Sequence, residues 1–199
     1  MQRRAFLAGL AALPFLAAPL SAQVNAAPIE AYLRSLRSAR GRFRQRNANG
    51  SVQTGTFHLL KPGRIRFEYD QPEGAMVIAD GTMVGVFDPK SNRNPTRYPL
   101  SRTPLHLLLR NELSLREPGL VLGATEDANG IHITVTDPRR PEEGRMRMTF
   151  SRDPVALREW VVTPANGRST AVSILEMQTG VEVARTLFNI ELEAQRYRW

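Results

Sequence analysis

The segment from Arg64 to Asp70 alternates strictly between apolar and charged side chains. Ile65, Phe67 and Tyr69 occupy every second position, and charged residues occupy the positions between them. Successive side chains of a β-strand point to opposite sides of the sheet, so this segment predicts a strand with one buried face and one solvent-exposed face. Such a strand needs neighbours that cover its apolar side, which constrains the rest of the chain to build a sheet around it.

Further strands are predicted on both sides of this segment, separated by short turns. Phe57, Leu59 and Lys61 share one face of the preceding strand, and Asp80-Gly81 between two apolar runs predicts a tight hairpin. The other predicted strands lie at 76–79, 82–87, 131–136, 145–151, 158–163, 170–178 and 183–191. Strands that follow one another through short turns favour a meandering antiparallel sheet over alternating βαβ units.

Two helices are predicted to interrupt the strands. The first has Pro28 in its opening turn and apolar residues at helical spacing, and it is expected to end at Gly41. The second is expected to begin with Thr103 as its N-cap and Pro104 at its first position. Its apolar residues are Leu105, Leu107, Leu108 and Leu109. Because leucine covers most sides of this short helix, we expect it to be buried against the sheet.

The N-terminus has the composition of an export signal. Arg3 and Arg4 precede an apolar run at 6–20 that contains no acidic residue. This run is shorter than the roughly 20 residues that a membrane-spanning helix needs. We therefore expect a signal peptide at 1–22, with cleavage as late as residue 26, and one exported domain at 23–199. The paired arginines fit both the general secretory route and the twin-arginine route.

Composition and motifs argue against several functional classes. The absence of cysteine excludes disulfides, thiolate metal sites, thiol nucleophiles and a lipidated cysteine anchor. The net charge of +8 falls by two, to +6, when Arg3 and Arg4 are removed, and it is spread along the chain. We interpret it as a solvated surface, with docking to an anionic membrane or an acidic partner as the alternative, and expect no nucleic-acid binding. His58, His106 and His132 lack metal-ligand spacing, and no nucleophile elbow or Gly-rich phosphate loop is present. We expect no enzymatic activity, metal or cofactor.

The middle of the chain resembles a known family. Its features are a strand led by Gly55, then Lys61-Pro62, an aromatic-rich strand ending near Tyr69, Pro72, a hairpin at 77–81 and a turn at Asp88-Pro89. This pattern resembles the periplasmic outer-membrane lipoprotein carrier family, LolA. The segment Arg42-Phe43-Arg44-Gln45 and the dipeptide Thr103-Pro104 fit the same template. The resemblance is specific from 55 to 110 and becomes vague after Gly123.

The resemblance implies a mostly β protein with a helical lid, an α+β arrangement. The expected fold is an incomplete antiparallel β half-barrel whose concave apolar face is covered by the N-terminal helix and short helices. The cavity would hold the acyl chains of lipoproteins received from an inner-membrane ABC complex and passed to an outer-membrane acceptor. A monomer without nucleotide or metal is expected. A lipid- or lipoprotein-sensing regulatory domain of related fold is the second hypothesis.

The expected acyl-binding residues lie on the central strands and the second helix. They are Phe57, Leu59, Lys61, Ile65, Phe67, Tyr69, Met76, Ile78, Leu105, Leu108 and Leu109. The resemblance places a functional basic residue, often arginine, at Lys61, and it places Phe67 where the family often has tryptophan. From the pattern alone, the same apolar residues can instead form a closed core. Lys61 can extend into solvent at a strand end, or it can donate hydrogen bonds to carbonyls of the lid or of a ligand.

Overall fold

The computed structural model describes residues 24–90 and 94–196. The α-helices in these ranges are α1 (Ala27–Ser35), α2 (Leu105–Leu108) and α3 (Ile190–Arg196). The strands are β1 (Ser38–Arg46), β2 (Val52–Leu60), β3 (Arg64–Tyr69), β4 (Met76–Asp80), β5 (Met83–Phe87), β6 (Thr96–Pro99), β7 (Val121–Asp127), β8 (Gly130–Thr136), β9 (Gly144–Arg152), β10 (Val155–Pro164) and β11 (Thr170–Thr179). Short 3₁₀ helices lie at Leu100–Arg102, Pro141–Glu143 and Arg185–Phe188. The predicted signal peptide lies outside the described residues.

All of these strands belong to one antiparallel sheet. Their order is β6-β5-β4-β3-β2-β1-β11-β10-β9-β8-β7, so paired strands are also neighbours in sequence, except for the pair of β1 with β11. The predicted meander and the Asp80-Gly81 hairpin are confirmed. The two edge strands, β6 and β7, stand at opposite ends of this order, which makes the sheet open.

The sheet is strongly curved. Phe67 on β3 and Trp160 on β10 lie four strand positions apart, which would separate them by about 19 Å in a flat sheet. Their ring centroids are 6.2 Å apart. The strands therefore wrap around a common interior, and the expected incomplete half-barrel is confirmed. The concave face holds the main hydrophobic core, which includes buried side chains from β1 to β5 and from β8 to β11.

The convex face carries a second, smaller core under the C-terminal segment, which runs from the 3₁₀ helix Arg185–Phe188 through α3. Phe188, Ile190 and Ala194 of that segment pack there against Met76 and Ile78 of β4. This contact buries an apolar strip on the outside of the half-barrel. A curved sheet that exposes one face to solvent would not otherwise keep such residues out of water.

A buried arginine fastens the same segment to the sheet. Arg66 of β3 is 6% exposed and donates hydrogen bonds to Glu68, at 2.6 Å, and to the carbonyl of Leu187, at 2.9 Å. Glu193 of α3 lies 3.5 Å from its guanidinium and also accepts a hydrogen bond from Arg196, at 2.8 Å. The segment is therefore held by charge as well as by apolar packing.

The strand predicted at 183–191 is wrong. The chain there forms the 3₁₀ helix Arg185–Phe188 and enters α3. The side-chain oxygen of Asn189 accepts a hydrogen bond from the backbone N–H of Leu192, at 2.9 Å. This is the bond of an N-cap residue, which turns the backbone away from an extended path.

The ends of the two predicted helices also differ from expectation. The first helix ends at Ser35, and Gly41 lies inside β1, where a Cβ atom would come within 1.8 Å of the Glu176 carbonyl oxygen. Glycine is needed there for the close approach of β11, beside a bulge in the pairing. Thr103 is not an N-cap, because its hydroxyl donates back to the Leu100 carbonyl at 3.0 Å. The α-helix is correspondingly short and starts at Leu105.

Replacing Arg66 with methionine should destabilise the protein by about 3 kcal/mol, the lower end of the range for breaking a buried ion pair. Arg196 still compensates part of the Glu193 charge in this variant, while the Leu187 carbonyl loses its donor. Chemical denaturation measures the change. The control is Arg44→Met on the exposed side of β1, which should shift the free energy of unfolding by less than about 0.5 kcal/mol. Equal, small changes in both variants would contradict the fastening role of Arg66.

Candidate functional site

Helix α1 lies across the concave face of the sheet. Ile29 and Leu33, four residues apart, point into the main core, and Leu36 just after the helix does the same. The ring of Tyr32 packs edge-on against Phe150 of β9, with centroids 6.1 Å apart. The apolar side of this amphipathic helix faces the sheet and keeps water away from it.

The segment from 100 to 120 covers another part of the same face. Leu107, Leu108 and Leu109 are buried in the main core, and Leu105 packs against it while partly exposed. The carbonyl of Leu109 accepts a hydrogen bond from Gly63, at 2.9 Å, which joins the end of α2 to the turn between β2 and β3. The prediction that this leucine-rich segment is buried against the sheet is confirmed.

Aromatic side chains fill the centre of the concave face. Phe67 packs against Phe43, with ring centroids 5.0 Å apart, and against Phe57, at 6.4 Å. Phe43 also contacts Tyr69, whose hydroxyl donates to Gln45 at 2.9 Å. Burial raises the pKa of Tyr69 to about 12. In this conformation the concave face is a closed core.

Lys61 is a cation inside this apolar arrangement. It follows β2 directly and is 8% exposed. Its ammonium group donates a hydrogen bond to the carbonyl of Leu33 in α1, at 2.9 Å, and its backbone N–H donates to the carbonyl of Arg37, at 2.8 Å. It therefore does not extend into solvent, and it makes the contact with a lid-helix carbonyl that the sequence left open.

The charge of Lys61 is poorly compensated. Within residues 24–90 and 94–196 it forms no ion pair. Burial, with a contribution from the positive charge of Arg37, lowers the pKa of Lys61 to about 8. The ammonium group that makes the hydrogen bond to α1 would therefore be more stable in water in its charged form.

The profile of the family described as outer membrane lipoprotein carrier protein LolA matches residues 34–191, well over half of the chain. The chain belongs to the LolA family. A protein of Xanthomonas oryzae pv. oryzae named outer-membrane lipoprotein carrier protein is 29% identical over 156 residues, which cover 73% of each chain. One of the same name from Cupriavidus necator is 25% identical over 201 residues and covers 94% of each chain.

Solved structures resemble this LolA-family chain at low identity. A putative outer membrane lipoprotein-sorting protein domain from Vibrio parahaemolyticus is 12% identical, with a TM-score of 0.47 and coverage of 84% of this chain and 97% of that one. An uncharacterized conserved protein from Thermus thermophilus is 11% identical, with a TM-score of 0.48 and coverage of 81% and 90%. Similarity at this level carries no functional information.

Most of the residues predicted to bind acyl chains lie together on the concave side of this LolA-family fold. They are Phe57, Leu59, Lys61, Ile65, Phe67, Tyr69, Leu105, Leu108 and Leu109. Contact with an acyl chain stays a prediction for each of them. Their common location follows from the register of β2 and β3, in which Phe57 lies opposite Phe67 and Leu59 opposite Ile65.

The placement of Met76 and Ile78 with this group is wrong. In the pairing of β3 with β4, Ile78 lies opposite Arg66 and Met76 opposite Glu68, so both point to the convex face. There they pack under Phe188 of the C-terminal segment. The residues of β4 on the concave side are Val77 and Ala79. Both faces of β4 are apolar, so its sequence does not show which face lies inside.

Several concave-face residues were not predicted. They include Phe43, Met146, Met148, Phe150 and Trp160. Met146, Met148 and Phe150 alternate with polar residues along β9, so the period of two could have found them. Trp160 gives a weaker signal, because the burial of β10 does not alternate cleanly and its pairing with β9 shifts after Leu157.

The part of the chain that the structure describes holds no group of three or more His, Asp or Glu side chains arranged to bind a metal ion. His106 lies 3.2 Å from Asp137, and His132 lies 3.0 Å from Asp127 and contacts Thr149. Across the same residues, no helix has the length and hydropathy needed to cross a bilayer.

The low pKa of Lys61 predicts a pH dependence of stability. Between about pH 8 and pH 10.5 the unfolded chain binds a proton at Lys61 that the folded chain does not bind. Stability should therefore rise with pH across this window, by at most roughly 1.4 kcal/mol per pH unit, and the contribution should be constant below about pH 8. Denaturation of the natural protein and of Lys61→Met measures it, since tyrosine titration affects both alike. A stability difference that does not change from pH 8 to pH 10.5 would contradict the assignment.

Proposed function

We propose that this protein carries the acyl chains of lipoproteins through the periplasm in the space between its curved sheet and α1. The observation that supports this most strongly is the cover of the concave face, which consists of α1 and the leucine-rich segment around α2. Helix α1 is laid over an aromatic concave face and is bonded there by Lys61, a buried cation with no carboxylate partner among the described residues. Such a contact stabilises a closed state only slightly, because much of its energy offsets the cost of burying the charge.

An acyl chain needs such shelter because each CH₂ group exposed to water costs about 0.8 kcal/mol. The empty protein faces the same problem, since an open concave face would expose Phe43, Phe67 and Trp160. Closure of α1 and the α2 segment over these rings avoids that cost. When an acyl chain enters, its contacts with the rings replace the contacts of α1 and the α2 segment with the same rings. Loading and release therefore both need only a modest difference in free energy between the empty and the loaded state.

The names of the relatives in Xanthomonas oryzae and Cupriavidus necator agree with a lipoprotein carrier. We propose further that the chain receives lipoproteins released from the inner membrane by an ABC complex and passes them to an outer-membrane acceptor. In this role it would act without catalysing a reaction. The export signal predicted at 1–22 supports the periplasmic location.

A photo-crosslinking amino acid tests the proposal. Placed at Phe67, it should label the acyl chains of a triacylated lipopeptide, because this side chain lies at the centre of the concave face. Placed at Arg44, which points outward from β1, it should give at most a background level. Labelling is measured by mass spectrometry after purification of the loaded protein. Lipopeptide binding without an adduct at position 67 would place the cargo elsewhere and contradict the proposal.

A further inference from the structure

The main core reaches the surface at one end of α1. A groove of about 500 Å³ lies there between the residues that precede the helix, the loop at 115 and the edge strand β7. Its apolar lining consists of Val24, Ala26, Leu115, Val121, Ala124 and Ile133. The size lies within the roughly 300–1,000 Å³ typical of clefts that take small apolar ligands.

The floor of this groove is continuous with the concave face. Ile133 and Leu115 are members of the main core, and Val24, Ala26 and Val121 pack against it. Ala124 lies opposite Ile133 in the pairing of β7 with β8, so it is on the concave side, yet it is exposed. A residue on the inner side of the sheet that water can reach marks a break in the cover.

We infer that this groove is the portal through which acyl chains enter and leave the concave face. The inference rests on the proposed function and adds the route that the closed core requires. The apolar side chains of the lining give an acyl chain a path to core side chains, beside the polar groups of Asn25 and Arg116. Entry elsewhere along α1 would first have to separate the buried contacts of Leu33 and the Lys61 bond.

One wall of the groove is an edge strand of the sheet. Among the residues that the structure describes, β7 pairs with β8 alone, and six of its seven residues are exposed. Among the described residues, no hydrogen bond joins 24–26 to β7. The loop side is fixed by a bond from the Leu115 N–H to the carboxylate of Glu30 in α1, at 2.6 Å. Widening the groove therefore needs movement of an edge strand and of the residues just before α1, while the sheet ladder stays intact.

Arg116 gives the groove a polar end. It belongs to the lining, is exposed, and forms no ion pair within residues 24–90 and 94–196. Its guanidinium offers five N–H donors. The acyl chains of a lipoprotein end in ester and amide carbonyls, which are hydrogen-bond acceptors. Arg116 is therefore positioned to hold that polar end at the rim while the chains lie inside.

A tryptophan at Ala124 tests the portal, because it fills the groove from an exposed position. The assay follows the uptake of a fluorescent triacylated peptide by the protein that begins at residue 23, which retains residues 24–26 of the groove. Ala124→Trp should slow uptake at least tenfold, and Arg116→Gln should slow it less. The matched control is Thr125→Trp, one residue along on the other face of β7, where Thr125 lies opposite His132. It should take up the peptide at the natural rate, and thermal denaturation should show both tryptophan variants folded.

Natural uptake by Ala124→Trp would overturn the portal while leaving the carrier proposal intact, provided that the crosslinker at Phe67 still labels the peptide. Equal slowing by both tryptophan variants would also overturn it, because the effect would then not depend on the groove. If the natural protein binds no triacylated peptide at all, the proposed function fails and the portal fails with it. These outcomes keep the two proposals distinguishable.

Discussion

The curvature of the sheet determines the rest of the molecule. Within the part of the chain that the structure describes, eleven antiparallel strands bend until Phe67 and Trp160, four strand positions apart, come into ring contact. A sheet bent this far gathers its apolar side chains at one interior, and that interior must be covered because the hydrophobic effect penalises its exposure. Helix α1 and the leucine-rich segment around α2 supply the cover. The rings, the helix and the bond that joins them are therefore parts of one arrangement.

Within that arrangement Lys61 combines two opposing effects. Its ammonium group donates to the Leu33 carbonyl and so connects the sheet to α1. Burial lowers its pKa to about 8, so near neutral pH it remains charged in an environment that disfavours the charge. A methionine or leucine at this position would pack without that penalty and would hold the cover more firmly. A cation here suits a cover that must open, and an apolar residue suits a permanent core.

Much of the fold could be predicted from local patterns, and the exceptions have physical causes. The period of two in β3 and the Asp80-Gly81 turn identify three neighbouring strands, β3, β4 and β5, because the apolar and charged faces of β3 alternate and the turn chemistry is specific. The predicted solvent exposure of the charged face was wrong for Arg66, which the C-terminal segment covers. The edge strands β6 and β7 escaped prediction. All four residues of β6 and six of seven in β7 are exposed, so neither has a buried face to produce alternation.

The candidate site could be predicted only in part. Phe57, Ile65 and Phe67 follow from alternation on β2 and β3, but the two faces of β4 are equally apolar. One face meets the concave core and the other meets the C-terminal segment, a contact distant in sequence that no local pattern reports. The bond from Lys61 to Leu33 is likewise a tertiary contact. The sequence indicates an unusual charge on an apolar strand face and does not specify its partner.

The central claim is that α1 moves away from the sheet when the protein carries cargo. Because the chain has no cysteine, spin labels can be attached at two introduced cysteines, Arg34→Cys on the exposed side of α1 and Arg147→Cys on the outside of β9. Electron–electron distance measurements on the empty protein should give one short distribution. Saturation with a triacylated peptide should shift that distribution to longer distances in proportion to the fraction bound. Full binding of the peptide with an unchanged distribution would contradict the account.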